Sequence, residues 1–277
     1  MAAGYLTERS IVMTAIAARM PAGRYRFRHA ARMEWIKLRS LRSTWWTLVI
    51  TVAGTIGIGV AVGMNTRNGT EDLTNNVLGG VVPGLLLAGV LGVLTMTSEY
   101  SSGMIRATLA AIPRRPQVVT AKAAVLGAVT LAIGEAAAFI SFFAGAAALQ
   151  HGIPSPGLSQ PGVLRAVVFS GASFCLIGLL GLGIGAIIRH SGAAIAVLVG
   201  GVYVAATFIG DVSHAAGAYM PIMIVGNSLS TTRPQTCGGS SAACGHLLSA
   251  WAGLGMLCLY AAAALALGSW LLARRDA

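Results

Sequence analysis

The chain has 277 residues, 56% of them hydrophobic and only 10% charged, and carries a net charge of +11. A soluble domain carries about 25% charged residues, so this chain lacks the polar side chains to cover a water-facing surface. The positive charge alone would suit nucleic acid, but no reader motif accompanies it and the basic residues flank apolar stretches, which excludes that class.

In chain order, residues 1–44 come first. Ile11 to Ala18 is an apolar run too short to span a membrane, and six arginines follow between Arg19 and Arg39. No good cleavage pattern follows the run, so residues 1–31 read as a disordered extension or a misassigned start rather than a targeting peptide. In "RMEWIKLRSLRSTWW", Trp35, Leu38, Leu41 and Trp45 recur at three- and four-residue spacing, with Lys37, Arg39 and Arg42 between them. That pattern predicts an amphipathic helix in the membrane interface, with Trp45 and Trp46 as the aromatic belt where the first span begins.

A membrane-spanning helix needs roughly 20 mostly apolar residues, because each rises about 1.5 Å through a hydrocarbon core about 30 Å thick. Six stretches qualify: Trp45 to Met64, Leu78 to Thr97, Ala123 to Leu149, Ala166 to Ile188, Ala193 to Gly210 and Ser249 to Ala273. The alternation of a membrane β-barrel is absent, so the expected fold is all-α, a polytopic bundle of six transmembrane helices. Of the nineteen Lys and Arg residues, sixteen fall on the side that holds both termini and only Arg67, Arg165 and Arg233 on the other. This bias places the N- and C-termini in the cytoplasm.

Within the spans, Gly59/Gly63, Gly80/Gly84 and Gly181/Gly185 fit G-x-x-x-G, a pattern of close helix packing that says nothing about substrate. Pro83 is a candidate kink in the second span. Glu135 is the one charged residue inside a span. It either lines a substrate path or carries a proton, or it is a protonated carboxyl bonded to a neighbouring helix. Cys175 and Cys258 fall inside spans as small hydrophobes. Cys237 and Cys244 share the long outer loop "TCGGSSAACGH", with six residues between them. In an oxidising compartment a disulfide between them is expected, two unpaired thiols being the alternative. There is no phosphate loop, no G-x-S-x-G elbow and no histidine placed at metal-ligand spacing.

The stretch "SEYSSGMIRATLAAIPRRPQVVTAK" separates the second and third spans. Ile105, Leu109 and Ile112 share one helical face, Ser102-Gly103 suits a helix start, and Pro113 ends the turn. Pro116 then opens the helix of the third span. Such a short amphipathic helix either lies flat on lipid or seats in a groove on a soluble partner.

The pattern Glu99-x-x-x-Gly103, then Leu109, then Pro113-Arg114-Arg115, then Lys122 opening a span, resembles the type-2 permease family of ATP-binding-cassette (ABC) exporters. "EWIKLRSLRSTWW" is similar to the run before the first span in short actinobacterial-type members, and "YMPIMIVGNSL", Tyr219 to Leu229, resembles the family's short outer helices. The resemblance runs from about Met33 onward; the N-terminal tail and the Cys237–Cys244 loop depart from it. It implies a permease domain over residues 32–277 in the inner (plasma) membrane, without enzymatic activity or a bound cofactor of its own. ATP and Mg would bind separate ATPase subunits beneath it. Glu99, Gly103, Ile105, Arg106, Leu109, Ile112, Pro113, Arg114 and Arg115 would belong to the coupling element seated in the ATPase. The interfacial helix over residues 32–44 would lie beside it, with Trp35, Lys37, Leu38, Arg39, Leu41 and Arg42. A second permease, identical or paralogous, would complete twelve spans. The cargo would be a small apolar or amphipathic molecule such as a drug, lipid or peptide, with export implied by analogy alone. The alternative is an ATP-independent secondary transporter or channel, for which the spans show few polar groups and no convincing repeat. A lipid-acting enzyme would need clustered His, Asp or Glu at a membrane face, and none is visible.

Overall fold

The computed structural model describes residues 27–67, 72–111, 115–150, 152–231 and 248–274, with the backbone alone at a few positions that include Arg106, Leu109 and Arg115. Of the described residues 85% are helical, and none is in a strand. In chain order the helices are α1 (Phe27–Ser40), α2 (Arg42–Asn65), α3 (Leu73–Val77), α4 (Val81–Ser101), α5 (Met104–Ala111) and α6 (Arg115–Ala147). They continue with α7 (Val163–Ile188), α8 (Ser191–Leu198), a π-helical segment (Val199–Val204), α9 (Ala205–Val212), α10 (His214–Gly217), α11 (Pro221–Leu229) and α12 (Ala250–Arg274). Among the described residues six runs are long and apolar enough to cross a membrane: α2, α4, α6, α7, the continuous run from Ser191 to Gly210, and α12. The protein is therefore a multi-pass membrane protein. An even number of crossings returns α12 to the end of the bundle where α1 lies, here called the basic end.

Helix burial sorts the spans into a centre and a periphery. More than half of the positions in α4 (56%) and α7 (61%) are buried, against 22–33% in the other four, so those two form the core. Their contact is a seam of glycines. A Cβ on Gly92 would overlap the Gly178 carbonyl, and one on Gly181 would overlap that of Gly89. Helix backbones approach this closely in a membrane because lipid tails are as apolar as the side chains, leaving association to close packing and polar contacts. All three glycine pairs expected at contacts lie at them: Gly59 and Gly63 face Ser141 and Gly145 of α6, Gly80 and Gly84 face Thr55 of α2, and Gly181 and Gly185 face α4. Ser141 binds two helices at once, donating to the carbonyls of Thr55 (3.3 Å) and Val77 (3.1 Å). Large apolar side chains such as Trp46, Phe208 and Trp251 are about two-thirds exposed and cover the outside, which only a lipid environment makes favourable.

Four expectations shift. The helix before the first span begins at Phe27 and ends at Ser40, instead of covering residues 32–44. Leu41 is extended (φ −82°, ψ 116°), and the first span starts at Arg42. Trp45 Nε1 donates to the Arg39 carbonyl (3.0 Å), satisfying backbone that the kink frees. Pro83 does not kink the second span, because α4 starts only at Val81 and proline in a first turn loses no helical bond. The fifth span is interrupted by the π-helical segment around Gly200 and Gly201.

Candidate functional site: a buried ion-pair cluster at the basic end

Four helices meet at the basic end, and each contributes a polar side chain. The chain turns sharply after α4 because Gly103 takes a left-handed backbone (φ +69°), which glycine adopts without a Cβ penalty. That turn lays α5 back against the bundle, so Ile105 (4% exposed) joins Met96, Val119 and Leu126 in a buried apolar cluster. One turn on, Thr108 is buried beside α1. On α1, Ala30, Glu34 and Leu38 follow at four-residue spacing and form the buried stripe, with Val118 and Ala121 of α6 packed against Ala30.

The charges close a ring. Glu99 Oε1 accepts from Lys37 Nζ at 2.6 Å and from Lys122 Nζ at 2.7 Å. Lys122 also donates to Glu34 Oε2 at 2.7 Å, and Lys37 reaches Glu34 Oε1 and Thr108 Oγ1, both at 3.4 Å. Glu34, Glu99 and Lys122 are 2–5% exposed, so two carboxylates and one ammonium lie out of water, and the half-buried Lys37 completes the charge balance. Isolated burial of any one of them would be prohibitive. Burial alone would lower the Lys37 ammonium, but its bond to Glu99 and the charge of Glu34 outweigh that and hold it above its ordinary value. Beside the ring, the Arg189 guanidinium lies 5.2 Å from the centre of the Tyr100 ring and donates to the Leu271 carbonyl at 3.3 Å. Glu99 Oε2, Tyr100 OH and Arg189 Nε are buried without a hydrogen-bond partner. The arrangement is a clamp: it has no activated nucleophile, and every ammonium is engaged.

The expected site residues fall into several groups. Glu99 and Lys37 lie in the ring, and Leu38 is buried beneath it. The inward turn of Ile105 means that the outward positions of α5 with described side chains are Met104 and Ala107. Arg106, Leu109 and Arg115 lie on helices whose side chains there are not described, and Ile112, Pro113 and Arg114 lie outside the described residues. Trp35, Arg39, Leu41 and Arg42 are exposed, whereas Leu38 joins Ala30 and Glu34 in the stripe that α1 buries against the bundle. Glu135 is half-buried in the middle of α6, away from the ring. Cys237 and Cys244 lie outside the described residues; Cys175 and Cys258 are free thiols.

Sequence reasoning missed Glu34 and Thr108, and took Lys122 only as the opening of a span. One signal was available: Lys37 and Lys122 are the only lysines among the nineteen basic residues, and both point into the ring. A second polar tie sits at the opposite end. Asp72 caps α3 through Asn75 N and accepts from Ser230 Oγ (2.8 Å), Thr231 N (2.7 Å) and Thr231 Oγ1 (3.1 Å). It fastens the start of α3 to the end of α11.

Fold and site together define a multi-pass membrane protein whose basic end is locked by buried charge. No family model matches the sequence, and no curated protein matches it.

Proposed function

We propose that this chain is the membrane subunit of an ATP-driven transporter of the ABC type-2 exporter kind, with its basic end in the cytoplasm of a cell whose plasma membrane it spans. The observation that carries the reading is the ring around Glu99. A short helix between two spans, α5, is held through Thr108 and Ile105 to α1, α4 and α6. A force applied to the exposed side of α5, at Met104 and Ala107, would pass through buried charge into the spans instead of being lost in a loose loop. The absence of a phosphate loop in the sequence supports a division of labour in which a separate ATPase binds nucleotide. The sixteen-to-three charge bias supports the orientation.

The test is to look for a Walker-type ATPase encoded beside the chain and to co-express it, followed by co-purification in detergent. Ala107→Arg should lower the recovered ATPase at least tenfold while the permease still reaches the membrane. A reporter fused to the C-terminus should be active only in the cytoplasm. Transport by the chain alone on an ion gradient, with no ATPase recovered, would replace this reading with the secondary-transporter one.

A further inference from the structure

The ring does not involve Glu135, the ionisable group in the middle of the third span. On α6 Leu131, Glu135, Phe139 and Phe143 follow at four-residue spacing, so they form one ridge about 18 Å long. Leu131 (41%) and Phe143 (56%) are exposed, and Glu135 and Phe139 are half-buried, so the ridge is open to the side of the bundle. The Glu135 carboxyl lies over Gly171 of α7, where a Cβ would overlap all three of its atoms. Glycine there makes the room that the carboxyl occupies. Among the described residues Glu135 has no hydrogen-bond or ion-pair partner.

We propose that this ridge is a lateral binding site for lipophilic aromatic cations, which reach Glu135 sideways from the lipid. An unpaired carboxylate in hydrocarbon is costly, and a cation in contact with it removes that cost. Phe139, one turn away and packed in part against the core, adds attraction for the same charge, and the exposed Phe143, two turns away, adds apolar surface along the path. Among the described residues no basic side chain pairs with the carboxyl. On α6, Lys122 is held in the ring about 20 Å away. On α7, Arg165 lies six residues before Gly171 and donates to the Ser230 carbonyl at 3.1 Å. On α12, Arg274 stacks on Trp270 at 4.3 Å. Also on α7, the Cys175 thiol lies against Gly127, two turns of α6 before Glu135. The site names a cargo class for the transporter proposed above and rests on that reading for its biological meaning, although binding itself needs no ATPase.

The experiment is equilibrium binding of tetraphenylphosphonium to the full chain in phosphatidylcholine nanodiscs, with triphenylphosphine oxide as a neutral relative. Saturable binding is expected, strengthening as pH rises, because proton and cation compete for one carboxyl and the probe does not titrate. Glu135→Gln should weaken it at least tenfold with unchanged thermal unfolding, Glu135→Asp only a few-fold, and neither should alter the neutral relative. Phe139→Leu, which leaves the carboxyl in place, should also weaken the cation alone, and it serves if Glu135→Gln fails to fold. Equal binding by wild type and Glu135→Gln, or no saturable binding, overturns the proposal. If that happens in a chain that still co-purifies with its ATPase, the cargo assignment falls and the transporter reading stands; binding without any ATPase partner does the reverse.

Discussion

Lys122→Met tests whether buried charge fastens α1 to the bundle. The ammonium sits 2.7 Å from both Glu34 and Glu99, and its side chain is 1% exposed, so solvent screening is minor. Methionine nearly conserves the volume, which keeps the cavity cost small. What remains is electrostatic: two buried carboxylates now share the single ammonium of Lys37. Removing one partner of a buried pair costs about 3–5 kcal/mol, or roughly two to three and a half decades in an opening equilibrium. A cysteine at Ala30, wholly buried between α1 and α6, reports that opening through its rate of thiol labelling. Labelling should accelerate at least a hundredfold in Lys122→Met. Adding Glu34→Gln restores charge balance, leaves Glu99 paired with Lys37, and should recover most of the protection. Lys122→Arg should not, since a planar guanidinium cannot replace a compact ammonium between two carboxylates. If position 30 stays equally protected in Lys122→Met, the ring is not what holds α1.

Three further outcomes are expected. Gly92→Ala places a methyl group on the Gly178 carbonyl and 2.9 Å from Leu182 N, neither of which a side-chain rotation relieves. It should cost roughly 3 kcal/mol, and wild-type recovery of monodisperse protein in mild detergent would show that the seam yields. Asp72→Ala removes the acceptor of three bonds from Ser230 and Thr231. Bonds to a charged group contribute about 1.5–3 kcal/mol each, so protease sensitivity should rise at the end of α11 with the basic end unaffected. Cys237 and Cys244 should resist thiol labelling in intact cells until a reductant is added.

The six spans are legible because each is a local quantity. Twenty apolar residues announce a membrane helix wherever their neighbours lie, and the G-x-x-x-G pairs likewise report contacts from their own spacing. Position along a span is less local. Pro83 resembles a mid-helix kink until the start of α4 at Val81 is known, and nothing in "VGGVY" distinguishes a π-helical segment from an α-helical one. The ring was hidden for a different reason. Lys122 is 88 residues from Glu34 and 23 from Glu99, so no window contains it. The apolar spacing of α1 speaks for a face turned to the membrane interface, whereas the stripe with a glutamate in its middle is selected by a tertiary contact that spacing does not show. The rarity of lysine among so many arginines was the one compositional clue. Among the described residues most arginines are exposed, with Arg165 and Arg189 half-buried, while Lys122 is fully enclosed and Lys37 half-buried in the ring.

The glycine seam between α4 and α7 limits what the bundle can do when it changes shape. Where Gly92 meets Gly178 and Gly181 meets Gly89, the two backbones leave no space even for a methyl group. A rotation or a one-turn slide would drive neighbours such as Leu85 or Leu182 into main-chain atoms, so the pair behaves as a keel. Glu99 stands at one end of that keel, so a load from the proposed ATPase, received there, would tilt the pair as one body. Freedom of movement is left to the lightly buried spans around it, α2, the π-interrupted fifth span and α12, whose outward faces exchange one lipid neighbour for another at little cost.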